Sequence, residues 1–387
     1  MRERRDLRTW LIVAGSVLLL TQAALALLWW KLPAWAPRWV AEHAPMPELA
    51  LRALRHDRAV IFPLLEARTL AWGPAIGPAL RRQFAVGDHE HRLNLVALAT
   101  EAARCLNDLT PDVPAPQWRG QIFSAADLHD LRENLSALAL AAVIDGSSYL
   151  PSNASYLAHQ LRDLRVVPSF SAFLCTQHPP IGEELEPVVR MLGDLSDARA
   201  VPALIPLLPI RHKAHPSVEE ALARCLDDNC APHVLAAMRH DHEVVRTWAA
   251  RQFPRFRAKP ELAAQIITLI ADPERQVSIA AIHAISETRL TTAGDALLKL
   301  AEHGSDPDTR LTAVEAIGVL VHVPAGSFLR SLANTTGSPL RGAAITALGA
   351  LQDRNDAELL TSILHNEDAD LVHRARQALE QMPPSGK

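Results

Sequence analysis

Several signatures of catalysis are missing from this 387-residue sequence. It has no GxSxG turn to expose a serine nucleophile, and no GxxxxGK[ST] or GxGxxG loop to cradle a phosphate. It also lacks the paired CxxC, or CxxC with HxxxH, that a structural zinc site requires. We therefore predict a non-enzyme with no catalytic residue, no cofactor, no metal site and no evident small-molecule substrate.

Aromatic residues are also scarce, at 5% of the chain, whereas hydrophobic residues reach 49% and charged residues 21%. Because sheets favour aromatic and β-branched runs, this composition favours helices. Lys and Arg number 39 against 43 Asp and Glu, which gives no electrostatic footprint for nucleic acid. The scattered signs also exclude a polybasic lipid-binding surface in the body.

The longest uncharged stretch is 9–30, TWLIVAGSVLLLTQAALALLWW. As a helix it would measure about 30 Å, the thickness of a bilayer core. The basic tail 1–8 precedes it, so the positive-inside rule predicts a cytoplasmic N-terminus and an extracytoplasmic body. The Ala, Leu, Arg and Pro bias indicates a bacterium, hence a single-pass inner-membrane protein with a periplasmic body. Tryptophans suited to membrane interfaces stand at both ends: Trp10, Trp29, Trp30, Trp35 and Trp39.

The alternative is a cleaved signal peptide, which would give a soluble periplasmic binder. Its cleavage site would be Ala24-Leu25-Ala26. Apolar residues continue past that site to Trp30, which favours a signal-anchor helix. Residues 31–47 contain four prolines and are predicted to form a semi-rigid spacer between membrane and body.

Residues 48–180 are predicted to form an irregular helical, HEAT-like region. A proline-rich loop covers 110–124, and Ser124 with Asp127 resembles a capping box that opens a helix. The apolar run 166–174 has two interpretations, a lid or an insertion between helical pairs. Residues 382–387 form a C-terminal tail.

From 181 to 381 the sequence becomes periodic. One apolar stripe at i, i+4, i+8 recurs about every 31 residues with Ala always in the middle, and a small residue there lets neighbouring helices approach closely. A turn with Asp or Ser, often followed by Pro, precedes each stripe, and a second apolar segment precedes each turn. The five stripes are Val245, Ala249, Phe253; Val277, Ala281, Ile285; Thr309, Ala313, Ile317; Leu340, Ala344, Leu348; and Leu371, Ala375, Leu379.

The segment 193–208, GDLSDARAVPALIPLL, resembles the junction of short HEAT repeats of the type found in phycobilisome lyases. The segments 348–353 and 359–364 resemble the same junction, and the likeness covers about 183–381. It implies an all-α HEAT-like solenoid, in which stacked helix pairs share one core and expose a long concave surface. We therefore expect a scaffold that binds another protein, one of an envelope complex.

Some HEAT-like proteins are di-iron hydroxylases with His-Glu pairs at the start of the second helix. The matching positions here, 246–247, 278–279, 310–311 and 341–342, are not His-Glu, and no chromophore-handling motif of the lyases is present. A metal-dependent enzyme or accessory stays open as the alternative. It would use the His-rich turns His89-Glu-His91 and His240-Asp-His242.

Arg246, Arg310 and Arg341 directly follow the first stripe position in three units. Stacking would align them along one face. They could bind carboxylates of a partner protein, or they could pair with a neighbouring unit's Asp241, Asp272 or Asp306 and stiffen the stack.

The sequence has four cysteines, an even number that an oxidising compartment could pair. Cys225 and Cys230 bracket a predicted turn and form the better candidate disulfide, with Cys105 and Cys175 as the second. Buried thiols that act as small apolar groups are the alternative.

Overall fold

The computed structural model describes residues 2–56, 58–107, 117–118, 121–122, 124–147, 149–176, 185–210, 215–365 and 368–382. Side chains of 2–15, 17, 70, 117–118, 121–122 and 215–216 are outside the description. The predicted boundary at 180–181, most of the 110–124 loop and the tail beyond 382 therefore lie outside the described residues. The chain divides into two compact units.

The first unit comprises residues up to 204 together with 212–225. It contains one two-stranded antiparallel hairpin, Gln117–Trp118 with Gln121–Ile122, and otherwise helices. These are α1 Arg2–Trp35, α2 Pro37–His43, α3 Pro47–Ala53, α4 Arg58–Arg68, α5 Ile76–Val86, α6 His89–Asn107, α7 Ala125–Asp145, α8 Leu150–Leu161, α9 Val167–Leu174, α10 Leu185–Leu195, α11 Val201–Leu204 and α12 His215–Cys225.

From α3 onward the helices alternate between two layers. The first helices of successive pairs, α3, α5, α7, α9 and α11, pack on one another in order. The second helices α4, α6, α8, α10 and α12 do the same. Each pair shares its apolar side with the next pair, so the core runs along the whole stack.

This region is more regular than the sequence suggested. Residues 166–174 are neither a lid nor an insertion: α9 is the first helix of an ordinary pair, and Phe170 is fully buried in it. The predicted capping box is confirmed, because Ser124 and Asp127 exchange both bonds at the start of α7.

The predicted spacer 31–47 was wrong. Residues 31–35 continue α1, and α2 packs into the body with Val40 and Ala41 fully buried. The prolines permit this because Pro37 and Pro47 occupy first turns of helices, where no intrahelical amide bond is lost.

The stretch predicted to span the membrane, 9–30, lies within α1. In the part of the chain that is described, no helix combines the length and apolar character that crossing a bilayer requires.

The second unit comprises residues 205–211 and those from 226 onward. Its helices are α13 Ala231–Ala237, α14 Glu243–Gln252, α15 Pro260–Leu269, α16 Arg275–Thr288, α17 Gly294–His303, α18 Pro307–Leu320, α19 Gly326–Asn334, α20 Arg341–Leu351, α21 Ala357–Ile363 and α22 Ala369–Gln381. The second helices α14, α16, α18, α20 and α22 pack in sequence order.

The predicted stripe forms the core of this unit. Its five middle alanines, at 249, 281, 313, 344 and 375, are all fully buried. The helix starts are more varied than predicted. Asp306 accepts the Thr309 amide at 2.8 Å with Pro307 in the first turn, whereas α14 is capped by His242 rather than by Asp241.

Candidate functional site

Arg246 joins two neighbouring helix pairs. Its guanidinium makes a bidentate contact with Asp272, Nε to Oδ2 at 2.8 Å and Nη2 to Oδ1 at 2.9 Å. Nη1 also donates to the carbonyl oxygens of His240 and Asp241, beyond the end of α13. The bonds to Asp272 raise the pKa of Arg246. This side chain is 13% exposed and its donors are used within the fold.

Arg310 and Arg341 make a related contact without an aspartate. Arg310 Nε donates to the carbonyl of Ala301 near the end of α17, and Arg341 Nε donates to Ala333 near the end of α19. The last carbonyls of a helix have no intrahelical partner, and a cation there also complements the helix dipole. These contacts favour the structural interpretation of the arginine row: Arg246 pairs with the predicted Asp272, whereas Arg310 and Arg341 use helix carbonyls in place of an aspartate.

Two further residues, which the sequence did not indicate as part of this row, make the same contact with the end of the preceding helix. Ser278, directly after its own stripe residue, donates its hydroxyl to the carbonyl of Ile270 at 2.6 Å. In the first unit, Arg92 Nε donates to Phe84 near the end of α5 at 3.0 Å. We call Arg92, Arg246, Ser278, Arg310 and Arg341 the latch residues. In the sequence, the only signal that could have indicated the latch residues is their repeated spacing from the end of the preceding helix.

The expected Cys225–Cys230 disulfide does not form in this structure, since both residues are thiols. Cys225 Sγ donates to the carbonyl of Leu192 at 3.3 Å, and Cys230 Sγ donates to the carboxylate of Asp227 at 3.2 Å. Both are buried, as expected for apolar packing groups with a weak donor. Cys105 and Cys175 are thiols as well.

The His-rich turns serve the ends of helices. His242 Nδ1 accepts a hydrogen bond from the backbone amide of Val244, and His240 Nδ1 accepts one from the backbone amide of His242. His89 lies 3.2 Å from the Ser147 hydroxyl on the surface, whereas His91 is buried. Among the described residues, no three His, Cys, Asp or Glu side chains are grouped to hold a metal.

His91 is 1% exposed and packs beside Gly87, and neither ring nitrogen has a hydrogen-bond partner in the described part of the chain. Burial and, to a smaller extent, the nearby Arg55 charge lower its pKa. With an opposing effect of Asp88 and a small lowering by His56 included, the pKa falls from 6.5 to about 4. The imidazole is therefore neutral in the fold at pH 7.

A cavity of about 530 Å³ opens between the second helices α8 and α10 of the first unit. We call it the α8–α10 groove. Its residues are spaced about one helical turn apart on the two facing helices, which is why they converge. They are Ser155, Tyr156, His159, Gln160, Glu186, Pro187, Arg190, Met191 and Asp194.

The groove combines an aromatic ring with balanced charges. Tyr156, one of only two tyrosines in the chain, is 54% exposed. Asp194 contacts His159 Nε2 at 3.0 Å and also pairs with Arg224 of α12. A tyrosine with a polar tip, set among paired ions, suits contact with a polypeptide better than chemistry, because no side chain there is an activated nucleophile.

The second unit has shallower hollows on its own second helices. One, of about 220 Å³, lies between α14 and α16 and is lined by Arg251, His283 and Glu287. Another, of about 580 Å³, lies around α18, α20 and α22 and includes Glu315, Arg341 and Arg374. The predicted residue Arg341 thus borders a surface hollow, while its Nε is held by Ala333.

A family model of HEAT repeats matches residues 231–318 and 294–380. Residues 231–380 are HEAT repeats. The match covers α13 to α22, the part of the chain where the stripe is most regular. The likeness that the junction sequences suggested is therefore confirmed for residues 231–380. A search of curated proteins finds no match to the sequence.

Solved HEAT-type structures resemble the chain in fold. Kap121p bound to Pho4p aligns with a TM-score of 0.52 at 12% identity, over 86% of this chain and 41% of Kap121p. Human deoxyhypusine hydroxylase aligns with a TM-score of 0.27 at 16% identity, over 65% of this chain and 96% of that protein. The CpcE–CpcF phycocyanin lyase of Nostoc aligns with a TM-score of 0.26 at 18% identity, over 71% of this chain and 99% of the lyase chain. At 12% identity the Kap121p alignment supports the solenoid fold alone, and the two enzyme alignments, with TM-scores below 0.5, carry no argument.

Replacing Arg310 with Ala should lower the free energy of unfolding by about 1–2 kcal/mol, because the buried carbonyl of Ala301 loses a charged donor. Urea unfolding followed by far-UV circular dichroism measures this. Arg376→Ala, an exposed arginine on α22, is the control and should leave stability nearly unchanged. Equal stability of Arg310→Ala and the control would refute the latch role.

Protonation of His91 should make the fold sensitive to acid. The folded pKa of about 4 lies below the unfolded value of 6.5, so the unfolded chain binds more protons in that window. Stability is complete above pH 6.5 and falls by about 3 kcal/mol as pH drops to 4. Denaturant unfolding across this range should show a flatter profile for His91→Gln. His303→Gln, in which a 74% exposed side chain is replaced, should keep the wild-type slope.

Proposed function

We propose that this protein is a non-catalytic scaffold that binds a polypeptide in the α8–α10 groove. The observation that carries the proposal is Tyr156, half exposed beside a cavity of about 530 Å³ on the second-helix face of a helical stack. Stacked second helices offer a long continuous surface that suits extended partners. Kap121p, a protein of similar fold, is seen bound to Pho4p.

The groove has features of a protein-binding surface. Apolar Met191 and Pro187 line it, Tyr156 adds a rigid amphipathic ring, and the ions at its rim already have partners. Burying such paired charges costs less than burying lone ones, so the rim can supply orientation while the aromatic centre supplies affinity. The chemistry fits a neutral or mixed-charge segment better than a strongly acidic or basic one.

We further propose that the scaffold acts at a membrane, with residues 9–30 as its anchor and its body in the bacterial periplasm, where it would serve an envelope complex. The proposal rests on the uncharged stretch and the basic residues before it. It is also supported by Leu18, Leu19 and Leu20, which are 60–68% exposed on α1 and would need an apolar environment.

A photo-crosslinking amino acid at Tyr156 should trap one discrete polypeptide in the source cells. The same amino acid at Tyr149, the other tyrosine, is the matched control, since Tyr149 is 52% exposed but does not line the groove. Mass spectrometry of the adducts identifies the partner, and Arg190→Glu should reduce the Tyr156 adduct. No adduct, or the same adducts from both positions, would refute the groove as the binding surface.

Reporter fusions at the C-terminus test the location independently. Alkaline phosphatase should be active there and a cytosolic reporter inactive, because the basic tail stays inside. N-terminal sequencing of the mature chain then separates an anchored form from one cleaved after Ala26. A reporter active only in the cytosol would overturn the periplasmic assignment without bearing on the groove.

A further inference from the structure

A group of indole rings is exposed where α1 meets the body. Trp30 is 65% exposed, Trp35 66% and Trp39 53%. By contrast Trp248, within the HEAT repeats, is 4% exposed. Large apolar rings grouped at a surface mark a contact with a partner or a membrane.

Trp30 is held against the first helix pair. The guanidinium of Arg52, on α3, stacks 4.3 Å above the Trp30 ring, and its Nη2 donates to the Trp30 carbonyl at 2.9 Å. Arg68 of α4 donates to the carbonyl of Ala44 at 2.9 Å, just past α2. The end of α1 and the start of the stack therefore have a fixed mutual orientation within the first unit.

The order of residues along this segment follows the layers of a bilayer surface. Exposed leucines occupy 18–28, then come the indoles, and Lys31 and Arg38 stand among them. Acyl chains accept leucine, the interfacial zone favours tryptophan, and lipid phosphates attract cations whose stems reach outward. Arg38 is 73% exposed although it contacts Glu42 at 3.0 Å, so its guanidinium can still reach a phosphate.

We propose that Trp30, Trp35 and Trp39, with Lys31, Arg38 and Arg52, form a collar that seats the first helix pair on a phospholipid surface. The proposal rests on the proposed anchoring through 9–30 and adds to it that the body lies directly on the bilayer. A protein surface is the competing occupant. The graded sequence of leucine, tryptophan and cation favours lipid, because a protein interface has no reason to keep that order along the chain from α1 into α2.

The full-length protein, reconstituted in phospholipid nanodiscs that contain a headgroup-proximal photoactivatable lipid, tests the collar. We expect lipid adducts at Trp35 and Trp39 as well as within 18–30. Trp35→Ala with Trp39→Ala should lower labelling of α2 several-fold, while Tyr149→Ala, which removes an exposed aromatic elsewhere, should not.

The outcomes separate the two proposals. Adducts within 18–30 but none at 35 or 39 would refute the collar and leave the anchor standing. No adducts anywhere, with the protein released from the lipid, would refute both. Indoles at 35 and 39 that are shielded from lipid and also from acrylamide quenching in native membranes would assign the collar to a protein partner instead.

Discussion

The fold depends on how the carbonyl end of each first helix is satisfied. A short helix leaves its last carbonyls without partners, and every helix pair repeats that problem. Here a side chain from the first turn of the following helix reaches back to supply the donor. It does so with arginine at 92, 246, 310 and 341 and with serine at 278. Where the donor is arginine, its charge also complements the helix dipole.

Close approach of successive second helices is the other constraint. A Cβ added at Gly318 would lie 3.0 Å from the Cα of Ala347, and one added at Gly349 would lie 2.6 Å from that of Ala378. In the first unit Gly193 meets Ala221 in the same way. Small residues therefore recur where successive helices touch. This recurrence made the stripe with its central Ala detectable in the sequence, and the stripe predicted the stack correctly.

Residues 48–180 form more regular helix pairs than the sequence indicated. Gly and Pro usually mark helix ends, but in this region α8 is capped at its end by Arg162, a residue other than Gly in the left-handed conformation with φ of 51°. Such ends carry no compositional signal. The spacer was mispredicted for the opposite reason, since Pro37 and Pro47 open helices instead of breaking them and Pro33 lies inside α1 without ending it. The groove escaped prediction because Tyr156 and Asp194 become neighbours only when two pairs stack.

The latch also explains why the repeated arginines were a poor guide to recognition. A donor that recurs at one register in several units serves a need that those units share, which is a closed helix end. Specific recognition requires positions that differ between units. Six residues after each first stripe residue, the second helices of the HEAT region expose Arg251, His283, Glu315, Thr346 and Gln377 in turn. Such a changing row can discriminate between partners, whereas the latch residues hold the scaffold that presents it.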